Sequence, residues 1–249
     1  KGRTYSTVTA PPVTATDLRR WSMAIYWPER PPRLYWDEAY AADTRWGGIV
    51  GPEEFNPFAW LVDGEAGHLP AWPDFGRRLL SFSAGNGAKY HAPIRPGDVI
   101  TGASSVVEVY EKTGRSGDLL FALAEAQLTN QRDELVKVLR HTLVFIFDRP
   151  GHSPQAAERV VVVPEGDPHR RWASQTDGET KGRFFDDVEE GESLPPFQRY
   201  TDLMNYNRFA AVNDEYVYHH ADIDVANSRG QKDVDGMGLL QFAYLHNLL

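Results

Sequence analysis

The chain has no cysteine among its 249 residues. That excludes disulfides, thiolate nucleophiles and every metal site built on sulfur ligands from Cys. It fits a reducing compartment, and a cytoplasmic location is the expectation. Long hydrophobic runs are also lacking. None approaches the roughly 20 residues that span a bilayer, so no membrane association is expected. Positive charge is scarce: 26 Lys and Arg stand against 35 Asp and Glu, for a net charge of −9. No basic stripe interleaves with aromatics, which argues against nucleic acid as a partner. No positively charged leader precedes an apolar stretch. The chain opens Lys1-Gly2-Arg3 without methionine, so the first residues are expected to be missing or processed. What is abundant is core material. The apolar fraction is 41%, with seven Trp and twelve Phe, enough for one large domain or two modest ones.

A faint internal repeat organises the chain. Thr16-Asp17-Leu18 returns as Thr201-Asp202-Leu203, Trp21 as Tyr206, Asp37 as Asp222, Ala41 as Ala226 and Gly51 as Gly236, always 185 residues later. The copies differ where chemistry is concentrated. Arg30 and Tyr35 of the first become Glu215 and His220 of the second. A repeated scaffold with an acid/base pair in one copy reads as a duplicated fold with one live site.

The periodicity gives an order of elements. Residues 4–10 are β-branched and read as a strand. Thr16 is the expected N-cap of a helix over 17–27, which Pro28, Pro31 and Pro32 stop. Further helices are expected over 37–46 and, rich in Phe55, Phe58, Trp60 and Leu61, over 52–62. The Gly- and Pro-rich stretch 64–88 reads as turns, with Gly85-Asn86-Gly87 among them. Three long β-like runs follow over 99–110, 119–130 and 135–147, joined by short turns and hence antiparallel. Helices before an antiparallel meander argue an α+β fold. Residues 1–150 then form a first module, 151–182 a polar linker carrying His169-Arg170-Arg171, and 183–249 the start of a second module with helices over 202–212, 222–228 and 237–249. Asp37 and Asp222 read as helix caps. The second module has no meander up to Leu249. Its last helix would lie uncovered unless strands follow Leu249 or another chain supplies them.

Three segments carry a family resemblance. Arg95-Pro96-Gly97-Asp98 is followed by Gly114-Arg115-Ser116-Gly117-Asp118-Leu119-Leu120-Phe121 and Thr129-Asn130-Gln131. Asn213-Asp214-Glu215-Tyr216-Val217-Tyr218-His219-His220-Ala221-Asp222 is similar to a D-x-N-P-x-H-x-D stretch. Gly236-Met237-Gly238 opens the last helix as an H-G-[LIM] segment does. Together they resemble the MaoC-like hydratase/dehydratase branch of the hot-dog superfamily in its double form, with an antiparallel sheet wrapped on a central helix and the second hot-dog incomplete. Glu215 stands where that family usually has Asp, and Val217-Tyr218 replaces Asn-Pro. His219 with Asp214 keeps the same spacing as His220 with Glu215, but only the latter pair stays in register with the internal repeat.

The resemblance implies hydration of an enoyl thioester or dehydration of a 3-hydroxyacyl thioester, with CoA as part of the substrate, no metal and no other cofactor. It implies Glu215 as the water-activating base and His220 as its partner. The first turn of the last helix, through the amide of Gly238, would form an oxyanion hole. Gly236, Met237, Asp214 and His219 would flank the substrate. A long, branched or steroid-like acyl group is the expectation, as is a homo- or hetero-oligomer assembled through hot-dog sheets. Two other readings share the fold: a non-catalytic partner subunit of a heteromeric hydratase, and a thioesterase that needs only a water-activating carboxylate.

Overall fold

The computed structural model describes residues 4–62, 80–114, 117–146, 189–193, 201–228 and 231–246. The linker over 151–182, with His169-Arg170-Arg171, lies outside them.

Five strands form one antiparallel sheet: β1 (Thr4–Thr9), β2 (Leu80–Tyr90), β3 (Thr101–Gly114), β4 (Gly117–Thr129) and β5 (Leu135–Ile146). Their order is β1-β3-β4-β5-β2. The meander β3-β4-β5 follows the three β-like runs. Gly114 of β3 pairs with Gly117 of β4. On β4, Ala122, Ala124, Ala126 and Leu128 alternate inward and are buried, the period-2 signature of one covered face.

The segments 95–98 and 129–131 build the corner that fixes this meander. Gly97 has φ 89°. Asp98, 2% exposed, accepts the amide N–H of Arg95 at 2.8 Å and Arg132 Nη1 at 3.1 Å. Gln131 Oε1 accepts from the Val99 amide at 2.9 Å. These residues hold turns together.

The helices are α1 (Ala15–Ile25), a 3-10 turn over Arg33–Tyr35, α2 (Glu38–Ala42), α3 (Leu203–Asn213), α4 (Tyr218–Ala221), α5 (Ile223–Ser228) and α6 (Gly238–His246). The cap of α1 is Thr14, not Thr16. Its hydroxyl accepts from the Asp17 amide and the Asp17 carboxylate accepts from the Thr14 amide. This reciprocal box draws the helix start two residues earlier. Asp202 forms the matching box with Asn205 at α3. Asp37 accepts from the Tyr40 amide, and Asp222 accepts from the amides of Asp224 and Val225. The two copies of this cap therefore do the same local work. Helix α2 is shorter than expected, ending at Ala42.

Two expectations fail for identifiable reasons. Gly85-Asn86-Gly87 is not a turn. It lies inside β2, paired with Thr142, His141 and Arg140 of β5, beside an irregularity between Ser83 and Gly85. The sheet's ladder overrides the turn-like composition. Residues 52–62 are turns, not a helix. Pro57 has no N–H for the carbonyl of Glu53 and would clash with it in a helix. Lys137, 2% exposed, reaches in from β5 instead, donating to the carbonyls of Glu53 (3.0 Å) and Phe55 (2.6 Å). At the equivalent position of the second copy stands Phe242, and there the helix forms as α6.

The core joins both copies. Trp21 of α1 meets Phe55 and Phe209 edge-on, each at 5.5 Å between centroids. Phe58 packs so closely on β3 that a Cβ on Gly102 would lie 2.8 Å from its ring. Met237, Leu240, Ala243 and Tyr244 belong to the same buried cluster as Ile100, Leu128 and Val136. The last helix is thus not left uncovered. Its inner face docks on the first module, and Leu245 faces out at 61% exposure.

Candidate active site

Helix α3 ends at Asp214, which adopts the left-handed conformation (φ 53°, ψ 41°), one of the few non-glycine types that tolerate it. The amides of Asp214 and Glu215 both return to the carbonyl of Ala210. This reversal turns Glu215 inward, to 9% exposure. Its Oε2 accepts from Asn213 Nδ2 at 2.8 Å. The fully buried Asn213 in turn accepts from Asn56 Nδ2 at 2.8 Å through Oδ1. The acid of the second copy is therefore braced by an asparagine relay that begins in the first.

The chain then forms α4, which carries His219 and His220, their rings 4.2 Å apart. Nδ1 of His220 lies 2.8 Å from the carbonyl oxygen of Asp235. A carbonyl only accepts, so Nδ1 carries a proton, and in the neutral ring the lone pair is on Nε2. Asp235 immediately precedes Gly236-Met237-Gly238, so this bond fixes the imidazole beside the start of α6. The first amides of that helix have no intrahelical acceptor. Among the described residues no hydrogen bond joins Glu215 to His220.

The two glycines do different things. A Cβ on Gly236 would lie 2.9 Å from Gln241 Nε2 and 3.2 Å from the Tyr206 hydroxyl, so it is closed off by its own chain. Around Gly238 a Cβ would meet only ordinary contacts, at 3.8 Å, with Asn86 Nδ2 and Ser83 Oγ of β2. Of the two, Gly238 has the room beside its Cα. Met237 is buried at 1% exposure and anchors the helix in the core. Ser83 Oγ is also 3.1 Å from His141 Nε2. Sequence reasoning passed over Ser83 and Asn86 because they sit in the stretch read as turns, and over His141 because it sits in a run read only as a strand. It passed over Asn56 because its partner is 157 residues away.

The corresponding positions of the first copy are spent otherwise. Arg30 lies over Trp36 at 5.6 Å. Burial, with Tyr26 and Glu54 nearby, pushes the Tyr35 phenol well up. Glu53 occupies the place of Gly238 and lies 3.3 Å from His246 Nδ1. A carboxylate there would repel a developing oxyanion.

This far end of α6 carries its own charge network. The hydrogen bond between them lowers Glu53 and raises His246, with Glu54 further raising and Lys137 opposing the latter. Burial brings Lys137 down to about 8. His246 Nε2 also lies 3.1 Å from the Tyr90 hydroxyl. The His246 contribution is complete below its ordinary value of 6.5 and is lost as pH rises through its raised value. The Glu53 contribution is complete above 4.5 and is lost as pH falls through its lowered value. The stability difference between the wild type and Glu53→Gln should peak between those two pH values and shrink on either side. Denaturant titrations across pH check this. Because Glu53 is 60% exposed, the peak should be about 1 kcal/mol or less.

Comparison with known proteins decides the family. Residues 1–139, more than half of the chain, match the model of the family described as "FAS1-like, dehydratase domain region". The chain belongs to that family. No curated protein matches it. Among solved structures, one described as "MaoC-like dehydratase" has 20% identity and a TM-score of 0.65, over 98% of this chain and 76% of that one. The MaoC-like dehydratase from Phytophthora capsici has 16% identity and a TM-score of 0.58, over 97% and 72%. The putative MaoC domain protein dehydratase from Chloroflexus aurantiacus J-10-fl has 15% identity and a TM-score of 0.58, over 99% and 70%. These likenesses are likenesses of fold, and they make it the α+β hot-dog of the MaoC-like dehydratases. No helix of the described residues is long and apolar enough to cross a membrane.

Proposed function

We propose that this MaoC-like dehydratase interconverts an enoyl thioester and its 3-hydroxyacyl hydrate at the second copy. The observation that carries the reading is His220, held by its Nδ1 on the Asp235 carbonyl, three residues before Gly238, where a Cβ would meet only ordinary contacts. Hydration forms a bond from water oxygen to Cβ, and the proton that water gives up to the base is returned to Cα, with no net proton change. Glu215 has Oε2 engaged by Asn213, leaving Oε1 as the base that takes the water proton. His220 Nε2 accepts the other water hydrogen and orients the attack. The Gly238 amide, at the positive end of α6, stabilises charge on the thioester oxygen. Asp214 shapes the turn that delivers Glu215. His219 flanks the site, whereas Met237, expected to flank it, is buried in the core.

The reading extends to acyl-CoA esters with long or bulky acyl groups. Its support is that turns over 52–62 stand where the second copy has α6. Assembly with a second hot-dog chain is part of the proposal, supported by the exposed Met23, Leu203 and Met204 on α1 and α3. Purified protein mixed with a panel of trans-2-enoyl-CoAs should consume the enoyl absorbance without releasing free thiol. Release of CoA would make the chain a thioesterase instead. Absence of turnover unless another hot-dog chain is co-expressed would make it a partner subunit.

A further inference from the structure

His219, His220 and Asp235 each offer a ligand atom within 4.8 Å of the other two. We propose that they form a binding site for a divalent cation of the zinc type, and that its occupancy switches off the chemistry proposed above.

The donor set is two imidazoles and one carboxylate, which suits borderline transition metals rather than calcium or magnesium. Ligand atoms around a tetrahedral zinc with bonds of about 2.0–2.1 Å lie about 3.3 Å apart, so closure needs movements of about 1.5 Å at most. Both His side chains are part-exposed and Asp235 is exposed, so rotation about side-chain bonds can supply that. The orienting contacts are already in place. Metal-bound imidazoles usually donate their second N–H to a carbonyl, and His220 does this with Asp235. Ligating carboxylates are usually hydrogen-bonded in turn, and Gln231 Nε2 donates to the Asp235 carboxylate. Three protein ligands leave the fourth position open to water or solute.

The consequence follows from sharing. His220 is both the residue that would orient water and one of the three ligands. Binding therefore competes with hydration directly. The binding claim stands without the proposed function; the inhibition claim rests on it.

The test is titration of the full chain with zinc chloride, followed by calorimetry and by the imidazole NMR signals. One ion per chain is expected, with the signals of His219 and His220 perturbed together. His219→Ala and Asp235→Asn should each weaken binding about tenfold or more. Asp235→Asn keeps the backbone carbonyl that holds His220, and circular dichroism verifies that each variant is folded. No saturable one-to-one uptake, or wild-type affinity in both folded variants, would overturn the site. In the enoyl-CoA assay, zinc should inhibit the wild type over the range that fills the site, and a chelator should restore turnover. Stoichiometric binding without inhibition of an active enzyme would overturn the switch. A chain that binds zinc but hydrates nothing would overturn the proposed function while leaving the site intact.

Discussion

His220→Ala should lower kcat for enoyl-CoA hydration by about 10²–10⁴-fold, the usual worth of a positioned acid/base group. The side chain is part-exposed and, among the described residues, its hydrogen bond goes to the Asp235 carbonyl, so the fold should survive. Glu215→Gln is the sharper companion. A glutamine can still accept the Asn213 N–H through its side-chain oxygen, which preserves the buried relay, but it cannot take a proton from water. Its kcat should fall by a comparable factor with little change in KM, because the loss is confined to the transition state. Steady-state kinetics on the best enoyl-CoA, beside thermal melts of each variant, check both. Full activity in Glu215→Gln would remove Glu215 from the chemistry and leave its asparagine contact as a purely structural one.

Much of the scaffold could be read from residue order. The β-branched opening, the meander and the caps at Asp37 and Asp222 each rest on local chemistry that a sequence carries whole. So does the family, through the corner at 95–98 and the glycines before α6. The failures have a common cause. Gly85-Asn86-Gly87 obeys its partner strand β5 rather than its own composition. The apolar stripe of Phe55, Phe58 and Leu61 reads as a helix, but Pro57 bars one, and Lys137, which takes up the carbonyls of Glu53 and Phe55, lies 80 residues beyond Pro57. The site was legible as a list and not as an arrangement. Spacing alone could not separate His220 from His219; the carbonyl of Asp235 singles out His220 for the place beside α6. Nor could spacing reveal that Asn56 and Asn213 carry the brace of Glu215, since that contact joins the two copies.

That junction leads to the second large effect. Phe209→Ala should cost about 3–5 kcal/mol, the range for deleting a buried aromatic. Phe209 is 0% exposed and belongs to the second copy, yet its edge packs on Trp21 of the first. If the copies were independent modules, the loss would melt the second copy early and leave the sheet intact. The shared cluster of Trp21, Phe55, Phe209, Met237 and Leu240 argues for one cooperative unit instead. Urea unfolding followed by far-ultraviolet circular dichroism, which reports sheet and helices together, and by the fluorescence of the seven Trp, Trp21 at the junction among them, should shift together to lower denaturant. Two separated transitions would refute the shared core. A single one would explain why a chain whose proposed chemistry lies only in its second copy retains the first: the sheet and the turn at 52–62 are the surface on which α6, and with it Gly238, is held in place.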